Sequence, residues 1–401
     1  MMGIFSGKEV VLGVTGGIAA YKACEIVREL RKESANVHPI LTASGAQFIT
    51  PLTLQTLAKN PVVTDLFNLI SESEIGHISL AQRAHLMLIA PATANVIGKI
   101  RNGIADDMLS TVVMATAAPV LLAPAMNSQM YASAAVRENI SVLKERGFHF
   151  VEPDEGELAC GTVGPGRLAD VEKILEMARI LLSEKPMAGR KVVVSAGPTA
   201  EPLDPVRFLS NRASGKMGFA MARAARRLGA EVTLVSGPTA LPDPLFIKTF
   251  RVRTADEMYS AVSGAAEDAE IVVMCAAVAD FRARKQAPSK IKKEGFDYRV
   301  ELSPTVDILA SLAKKKGNRL LVGFAAETED LARNAREKMR RKKLDAIVAN
   351  DVSRTDIGFE SDDNEVRVFF PDGEVRELPL ATKDGIAVGV WLALNGKLFR
   401  R

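Results

Sequence analysis

The side chains able to carry redox or acid–base chemistry are few: Cys24, Cys160 and Cys275, and the histidines His38, His77, His85 and His149. They lie far apart in the chain, and no spacing among them matches a zinc knuckle or finger. Cys24 falls in a helical pattern and Cys275 in an apolar strand-like run, where a free cysteine usually serves as a small core residue. Cys160 differs. It lies in Leu158-Ala159-Cys160-Gly161-Thr162-Val163-Gly164-Pro165-Gly166-Arg167, a glycine-rich loop with an arginine nearby, where an accessible thiol could act as an acid or a nucleophile. His77 follows Gly76 at a loop or helix start, His85 begins a strand, and His38 and His149 lie at strand edges. A lone histidine is more often structural, so His77 is singled out only by its glycine neighbour and its position before a candidate ligand-binding turn.

Apolar runs end three times in small and amide residues: Thr15-Gly16-Gly17, Pro91-Ala92-Thr93-Ala94-Asn95 and Pro124-Ala125-Met126-Asn127. Such strand ends would suit a planar cofactor, and would equally serve as plain turns. The first does not match G-x-G-x-x-G. Ser214-Gly215-Lys216-Met217-Gly218 puts Met217 where a Walker loop needs a magnesium-binding hydroxyl, so dinucleotide and P-loop fingerprints are both rejected. Asn211, Arg212, Ser214 and Lys216 still gather donors near a helix start, which favours a phosphate-bearing ligand. Positive charge also gathers at Lys290-Ile291-Lys292-Lys293 and from Arg333 to Lys343. On a helix the second cluster could be a solvated face, a nucleic-acid patch or one wall of a triphosphate site; no interleaved aromatics support base stacking. Asp280, at a strand end, could hold a metal or a ribose.

The elements that must position these residues repeat. A strand over 9–14, a helix over 18–31 and a strand over 37–41 are echoed by a strand over 191–195, a helix over 218–228 and a strand over 231–235, as in parallel βαβ units. Further strands are expected over 86–90, 119–123 and 271–274, apolar enough for sheets covered on both faces. A helix over 171–182 leads into a linker-like stretch, Ser183-Glu184-Lys185-Pro186-Met187-Ala188-Gly189-Arg190. The expected fold is α/β: two tandem Rossmann-like domains, over residues 1–186 and 187–401. With 52 basic and 48 acidic side chains the net charge is +4, which excludes a disordered polyelectrolyte and gives no global case for nucleic-acid binding. The sparse, odd cysteine count suits a reducing compartment. No signal peptide is evident, and no apolar run approaches the roughly 20 residues of a membrane helix. A soluble, cytoplasmic protein with no membrane or nucleic-acid partner is expected.

Further motifs join these in order: Gly16-Gly17-Ile18-Ala19-Ala20-Tyr21-Lys22, Gly76-His77-Ile78, Gly103-Ile104-Ala105-Asp106-Asp107 and Ala159-Cys160-Gly161. Together the first half resembles the homo-oligomeric flavin-containing cysteine decarboxylases. The second half carries Ser210-Asn211-Arg212-Ala213-Ser214-Gly215-Lys216, Ala276-Ala277-Val278-Ala279-Asp280-Phe281, Gly323-Phe324-Ala325-Ala326-Glu327-Thr328 and Ala349-Asn350-Asp351-Val352, and resembles the phosphopantothenate–cysteine ligases. Nearly the whole chain is thus similar to the bifunctional decarboxylase/ligase family of coenzyme A synthesis.

That resemblance implies a flavodoxin-like N-terminal domain binding FMN through Thr15, Gly16, Gly17, Ile18, Ser44, Thr93 and Asn95. Oxidation of a substrate cysteine thiol would give a thioaldehyde that lets the neighbouring carboxylate leave as CO₂. His77 would assist that step, Cys160 would supply a proton, and Asn127 and Met130 would hold substrate. The C-terminal domain would activate 4′-phosphopantothenate with CTP and Mg²⁺ as an acyl-cytidylate, which cysteine then attacks. Asn211 would bind that intermediate and Lys290 would steady the reacting phosphate. Met274, Cys275, Ala276 and Asp280 would contact CTP, with Phe324, Lys338 and Lys342; Asp280 would also meet the metal, itself held mostly by CTP phosphates. The resemblance further implies a homo-oligomer, a dodecamer of decarboxylase trimers linked by ligase dimers. Two rivals are a flavin decarboxylase with a regulatory nucleotide-binding second domain, and a nucleic-acid binder using the basic helix.

Overall fold

The computed structural model describes residues 3–66, 76–157, 161, 163–292, 299–327, 329–351, 353 and 361–398; Cys160 and Lys293 lie outside them. The chain forms two compact units, one ending at Ser183 and one starting at Glu184.

In the first unit β1 (Glu9–Val14), β2 (Asn36–Leu41), β3 (Leu86–Ala92), β4 (Val120–Pro124) and β5 (His149–Phe150) form a parallel sheet in the order β2-β1-β3-β4-β5. This is the flavodoxin-like order, with its switch point between β1 and β3. Alternate side chains of β1 feed different cores: Val10, Leu12 and Val14 pack on one face, Val11 on the other. Every residue of β3 and β4 is buried, as helices on both faces require.

The expected helix over 18–31 splits into a 3₁₀ turn, Ile18–Lys22, and an α-helix, Ala23–Lys32. Gly17 enters in extended backbone (φ −153°), and the Ala20 N–H donates back to the Gly17 carbonyl at 2.9 Å, tightening the turn at the end of β1. His38 lies inside β2 rather than at its edge. Its Nε2 is 2.5 Å from a Glu9 carboxylate oxygen, and His85 Nδ1 accepts the Glu9 N–H at 3.0 Å. Both histidines thereby serve Glu9, where β1 begins, a structural task.

The second unit is built on β6 (Lys191–Ala196), β7 (Glu231–Ser236), β8 (Lys248–Arg251), β9 (Ile271–Met274), β10 (Leu320–Glu327), β11 (Ala346–Asp351), β12 (Asp363–Phe369) and β13 (Val375–Thr382). The order is β8-β7-β6-β9-β10-β11-β12-β13, parallel through β11 and antiparallel for the last two strands. The helix after β6 runs Lys216–Arg227, starting earlier than its apolar pattern because Gly215, at φ +81°, turns the chain into it. Gly218 lets that helix lie on β6: a Cβ there would come within 2.5 Å of the Ala196 Cβ. The helix Lys383–Leu398 packs beside it. Trp391, fully buried, donates its indole N–H to the Met221 carbonyl at 2.9 Å, and Asp384 pairs with Arg223 and Arg227.

Two local devices hold segments near the strand ends. In the first unit, Asp154–Glu157 and Val163–Arg167 pair as an antiparallel hairpin, and the Met126 N–H donates to the Gly166 carbonyl at 2.9 Å. In the second, the buried Asp204 carboxylate accepts from the N–H groups of Val206 and Arg207 at 2.8 Å, from the Arg207 guanidinium, and from the Ile291 N–H at 3.2 Å. Desolvation opposes its ionisation, but the Arg207 guanidinium and the backbone donors outweigh that and hold its carboxyl far below the usual range.

Two outcomes follow. Gly166 has φ +139° and a Cβ there would sit 2.2 Å from the Met126 carbonyl oxygen, so Gly166→Ala should push the hairpin off the end of β4. Limited proteolysis should cut it within 154–167 faster than wild type; equal cutting would contradict the contact. Asp204→Asn should lower the urea midpoint at pH 7. Because the folded-state pKa is depressed, the carboxylate's contribution is present above the ordinary 3.8 and fades as pH falls below it. The gap between variant and wild type should therefore narrow in acid, and a gap constant down to pH 3 would be the contrary result.

Candidate functional sites

Each unit carries a cleft where its parallel strands end, as open α/β sheets direct ligands to their carboxyl ends. In the first unit the cleft encloses about 1050 Å³. The turn after β1 supplies Thr15, Gly16, Gly17 and Ile18, and the stretch after β2 supplies Ser44. The turn after β3 supplies Thr93 and Asn95, and that after β4 supplies Asn127 and Met130.

The turns are tied to one another. Thr15 is buried; its hydroxyl donates to the Pro91 carbonyl at 2.7 Å and accepts the Thr93 N–H at 3.2 Å, locking the β1 and β3 ends together. Thr93 and Asn127 also cap the helices that follow them, accepting from Val96 N–H at 3.4 Å and Gln129 N–H at 2.8 Å. A Cβ on Gly16 would lie 2.4 Å from the Ser44 Cβ, so these two turns meet at van der Waals limits and form one wall. Small residues and apolar faces leave a slot that fits a planar ring system such as a flavin, with volume to spare for a second small molecule.

His77 is the second residue of the helix Gly76–Arg83 and does not line this cleft. Its Nδ1 is buried and finds no hydrogen-bond partner among the described residues. Cys160 lies outside those residues; the hairpin flanking it brings Glu157, Gly166 and Arg167 to the cleft wall. Sequence reasoning passed over Lys99, which lines the cleft and pairs with Asp106 at 2.7 Å and Asp107 at 2.9 Å. The two acids stood within a quoted motif, but nothing local marked the lysine.

In the second unit a cleft of about 440 Å³ lies across the ends of β6, β9 and β10. Met274, Cys275, Ala276 and Asp280 line it from the stretch leaving β9, Phe324 from β10, and Lys338 and Lys342 from the end of the helix Leu331–Arg341. Cys275 is not in a strand: β9 stops at Met274, leaving Cys275 at the cleft. Desolvation pushes its thiol up to about 12, away from thiolate chemistry. The Asn211 amide donates to the Ala277 and Val278 carbonyls at 3.1 and 3.2 Å, which fixes it beside the β9 end.

Lys338 donates to the Phe324 carbonyl at 3.0 Å, while Lys342 lies 2.9 Å from the Asp307 carboxylate. Burial, then repulsion from Lys342, holds Lys338 below the ordinary lysine range. An anion entering between them would relieve that repulsion. Lys290 is exposed and does not line the cleft; its neighbour Ile291 is tied to Asp204 and Arg207 instead. Among the described residues no group of three or more His, Cys, Asp or Glu side chains could hold a metal. Asn364 and Lys383 also line this cleft and no motif announced them; Lys383 reaches it only because the last helix packs back on the sheet.

Comparison with known proteins agrees with this division. Residues 5–182 match the family model described as Flavoprotein, and residues 187–396 match that of the DNA/pantothenate metabolism flavoprotein C-terminal domain. The Coenzyme A biosynthesis bifunctional protein CoaBC of Bacillus subtilis (strain 168) is 48% identical over 384 residues, 95% of each chain. That of Escherichia coli (strain K12) is 47% identical over 384 residues, 94% of each. A solved C-terminal domain of a CoaBC protein is 40% identical and covers 54% of this chain and 100% of its own, with a TM-score of 0.47. No helix among the described residues is long and apolar enough to cross a membrane. With such identity over nearly its whole length, and both family models matched in order, the chain belongs to the family of bifunctional coenzyme A biosynthesis proteins.

Proposed function

We propose that this chain catalyses two consecutive steps of coenzyme A synthesis: ligation of cysteine to 4′-phosphopantothenate in the second unit, then decarboxylation of 4′-phosphopantothenoylcysteine to 4′-phosphopantetheine in the first. The observation that carries the reading is that the turn motifs at 15–18, 93–95 and 125–127 gather in one cleft and those around 211–218, 274–280 and 324–326 in another, each at the carboxyl ends of its own sheet.

For ligation, the pantothenate carboxylate attacks the α-phosphorus of CTP and pyrophosphate leaves; the cysteine amine then attacks the acyl carbon and CMP leaves. Asn211, oriented by two carbonyls, would hold the acyl-cytidylate. Lys338 and Lys342 would face nucleotide phosphates, and Met274, Cys275, Ala276 and Phe324 would border the nucleoside. Asp280 would meet Mg²⁺ held on those phosphates, and Lys290 would steady charge from the neighbouring segment.

For decarboxylation, FMN would lie among the turns bearing Thr15, Gly16, Gly17, Ile18, Ser44, Thr93 and Asn95; when bound it supplies reversible two-electron oxidation of the substrate thiol. Asn127 would grip the carboxylate that leaves as CO₂, and Met130 would cover the substrate's apolar arm. Cys160 would donate the proton that completes the product, and a buried His77 Nδ1 without a hydrogen-bond partner among the described residues supports a role for that imidazole in the same step. A cytoplasmic homo-oligomer of decarboxylase trimers joined by ligase dimers completes the reading. Ile18 and Tyr21, each 61% exposed where they line the first cleft, support cover from another copy.

The two activities should separate by mutation. Asn211→Ala should slow CTP-dependent ligation by about 10²–10³-fold, as loss of a positioned donor does, and leave decarboxylation of supplied 4′-phosphopantothenoylcysteine unchanged. Asn127→Ala should do the reverse. Pyrophosphate and CO₂ release measured on the same preparations decide it; a variant that slows both activities equally, or neither, would contradict the assignment.

A further inference from the structure

The short helix Ser128–Ala132 follows Asn127 at the end of β4 and carries Met130 to the cleft of the first unit, yet none of its five residues is buried. Its hold on the rest of the unit runs through Tyr131. The ring packs against the apolar core that includes Val136 and Phe150, and the hydroxyl donates to the Glu152 carboxylate just beyond β5. The Tyr131 N–H donates to the Asn127 carbonyl at 3.0 Å, so the two residues stand one helical turn apart and a tilt of one carries the other. Tyr131 itself does not line the cleft.

Glu152 is a firm anchor. Its carboxylate accepts from Lys144 at 2.6 Å, and its carbonyl accepts from Lys173 at 3.2 Å. Desolvation opposes its ionisation, but the bonds from Lys144 and Tyr131 outweigh that and hold its carboxyl below the usual range. Burial, together with that anion, pushes the Tyr131 phenol above its ordinary range and keeps it a donor. Lys173 also pairs with Asp154 at 2.9 Å, which ties the same anchor to the first residue of the hairpin. In the other strand of the hairpin a Cβ on Gly164 would meet Ser128 Oγ at 2.8 Å, so the short helix sits hard against it.

We propose that Tyr131, through its hydroxyl bond to Glu152, is a positioning residue that aims the Asn127 amide at the substrate carboxylate. The inference rests on the decarboxylase reading and deepens it. A hydrogen bond to a carboxylate weakens steeply with misalignment, whereas the apolar cover given by Met130 is non-directional. Loosening the helix should therefore act on a ligand that bears the carboxylate and spare one that lacks it. Substrate and product of the reaction differ in that group.

The test uses the full-length enzyme loaded with FMN, and Tyr131→Phe, which keeps the ring and removes the donor. Its kcat/KM for 4′-phosphopantothenoylcysteine should fall about tenfold, the loss of one hydrogen bond to a charged group. Bound FMN per chain should equal wild type, and the product-inhibition constant of 4′-phosphopantetheine should stay within twofold. Glu152→Ala should reproduce this split, and Glu152→Gln, which keeps an acceptor, should recover most of the rate. Added to Asn127→Ala, Tyr131→Phe should cost nothing more, because the two act through one contact. If Glu152→Ala does not fold, Tyr131→Phe alone decides. An unchanged kcat/KM, a loss of FMN parallel to the loss of rate, or equal weakening of substrate and product would overturn the positioning role. A wild-type enzyme that binds FMN and releases no CO₂ would instead overturn the decarboxylase reading, and the positioning role with it.

Discussion

Parallel pairing is the constraint on which the rest of the structure depends. It sends the carboxyl end of each parallel strand to the same side of its sheet, so the turns leaving neighbouring strands must crowd together. The sequence answers this crowding with side chains small enough to tolerate it. Gly16 packs against Ser44, and Thr15 bridges Pro91 and Thr93 with its hydroxyl. The same contacts that let the sheet close also leave a slot bounded by backbone and amides. In this unit the residues that solve the fold's steric problem are the ones that border the cleft.

The second unit meets the constraint with charge. Its cleft gathers four lysines: Lys342 pairs with Asp307 and Lys216 with Asp362, while Lys338 and Lys383 donate to the carbonyls of Phe324 and Ser361. Partial burial makes these ammonium groups costly to hold together, which biases the cleft toward polyanionic ligands. Desolvation likewise pushes up the thiol of Cys275, which borders the same cleft.

Much of this was legible in the sequence, for identifiable reasons. β1 and β9 were readable to the residue because β-branched runs end sharply at small or polar residues. The turns were legible because their residue types are dictated by local crowding. What stayed hidden was non-local. The 3₁₀ turn at Ile18–Lys22 preserves an apolar helical pattern while changing its hydrogen bonding. His38 and His85 could not be separated from His77 by spacing, since only the folded sheet brings the first two to Glu9. Lys383 carries no motif, and its place at the cleft depends on an antiparallel pair of strands and a helix returning from the end of the chain. Lys290 shows the opposite case: a motif residue whose segment is anchored at Asp204, outside the described cleft.

A flavin seated among the strand-end turns of the first unit makes the protein coloured. The most direct measurement is the visible absorption spectrum of the purified full-length protein, recorded as isolated and again after incubation with FMN and removal of the excess. The expected result is a yellow protein with bound flavin approaching one per chain. A colourless protein that retains no FMN would contradict it.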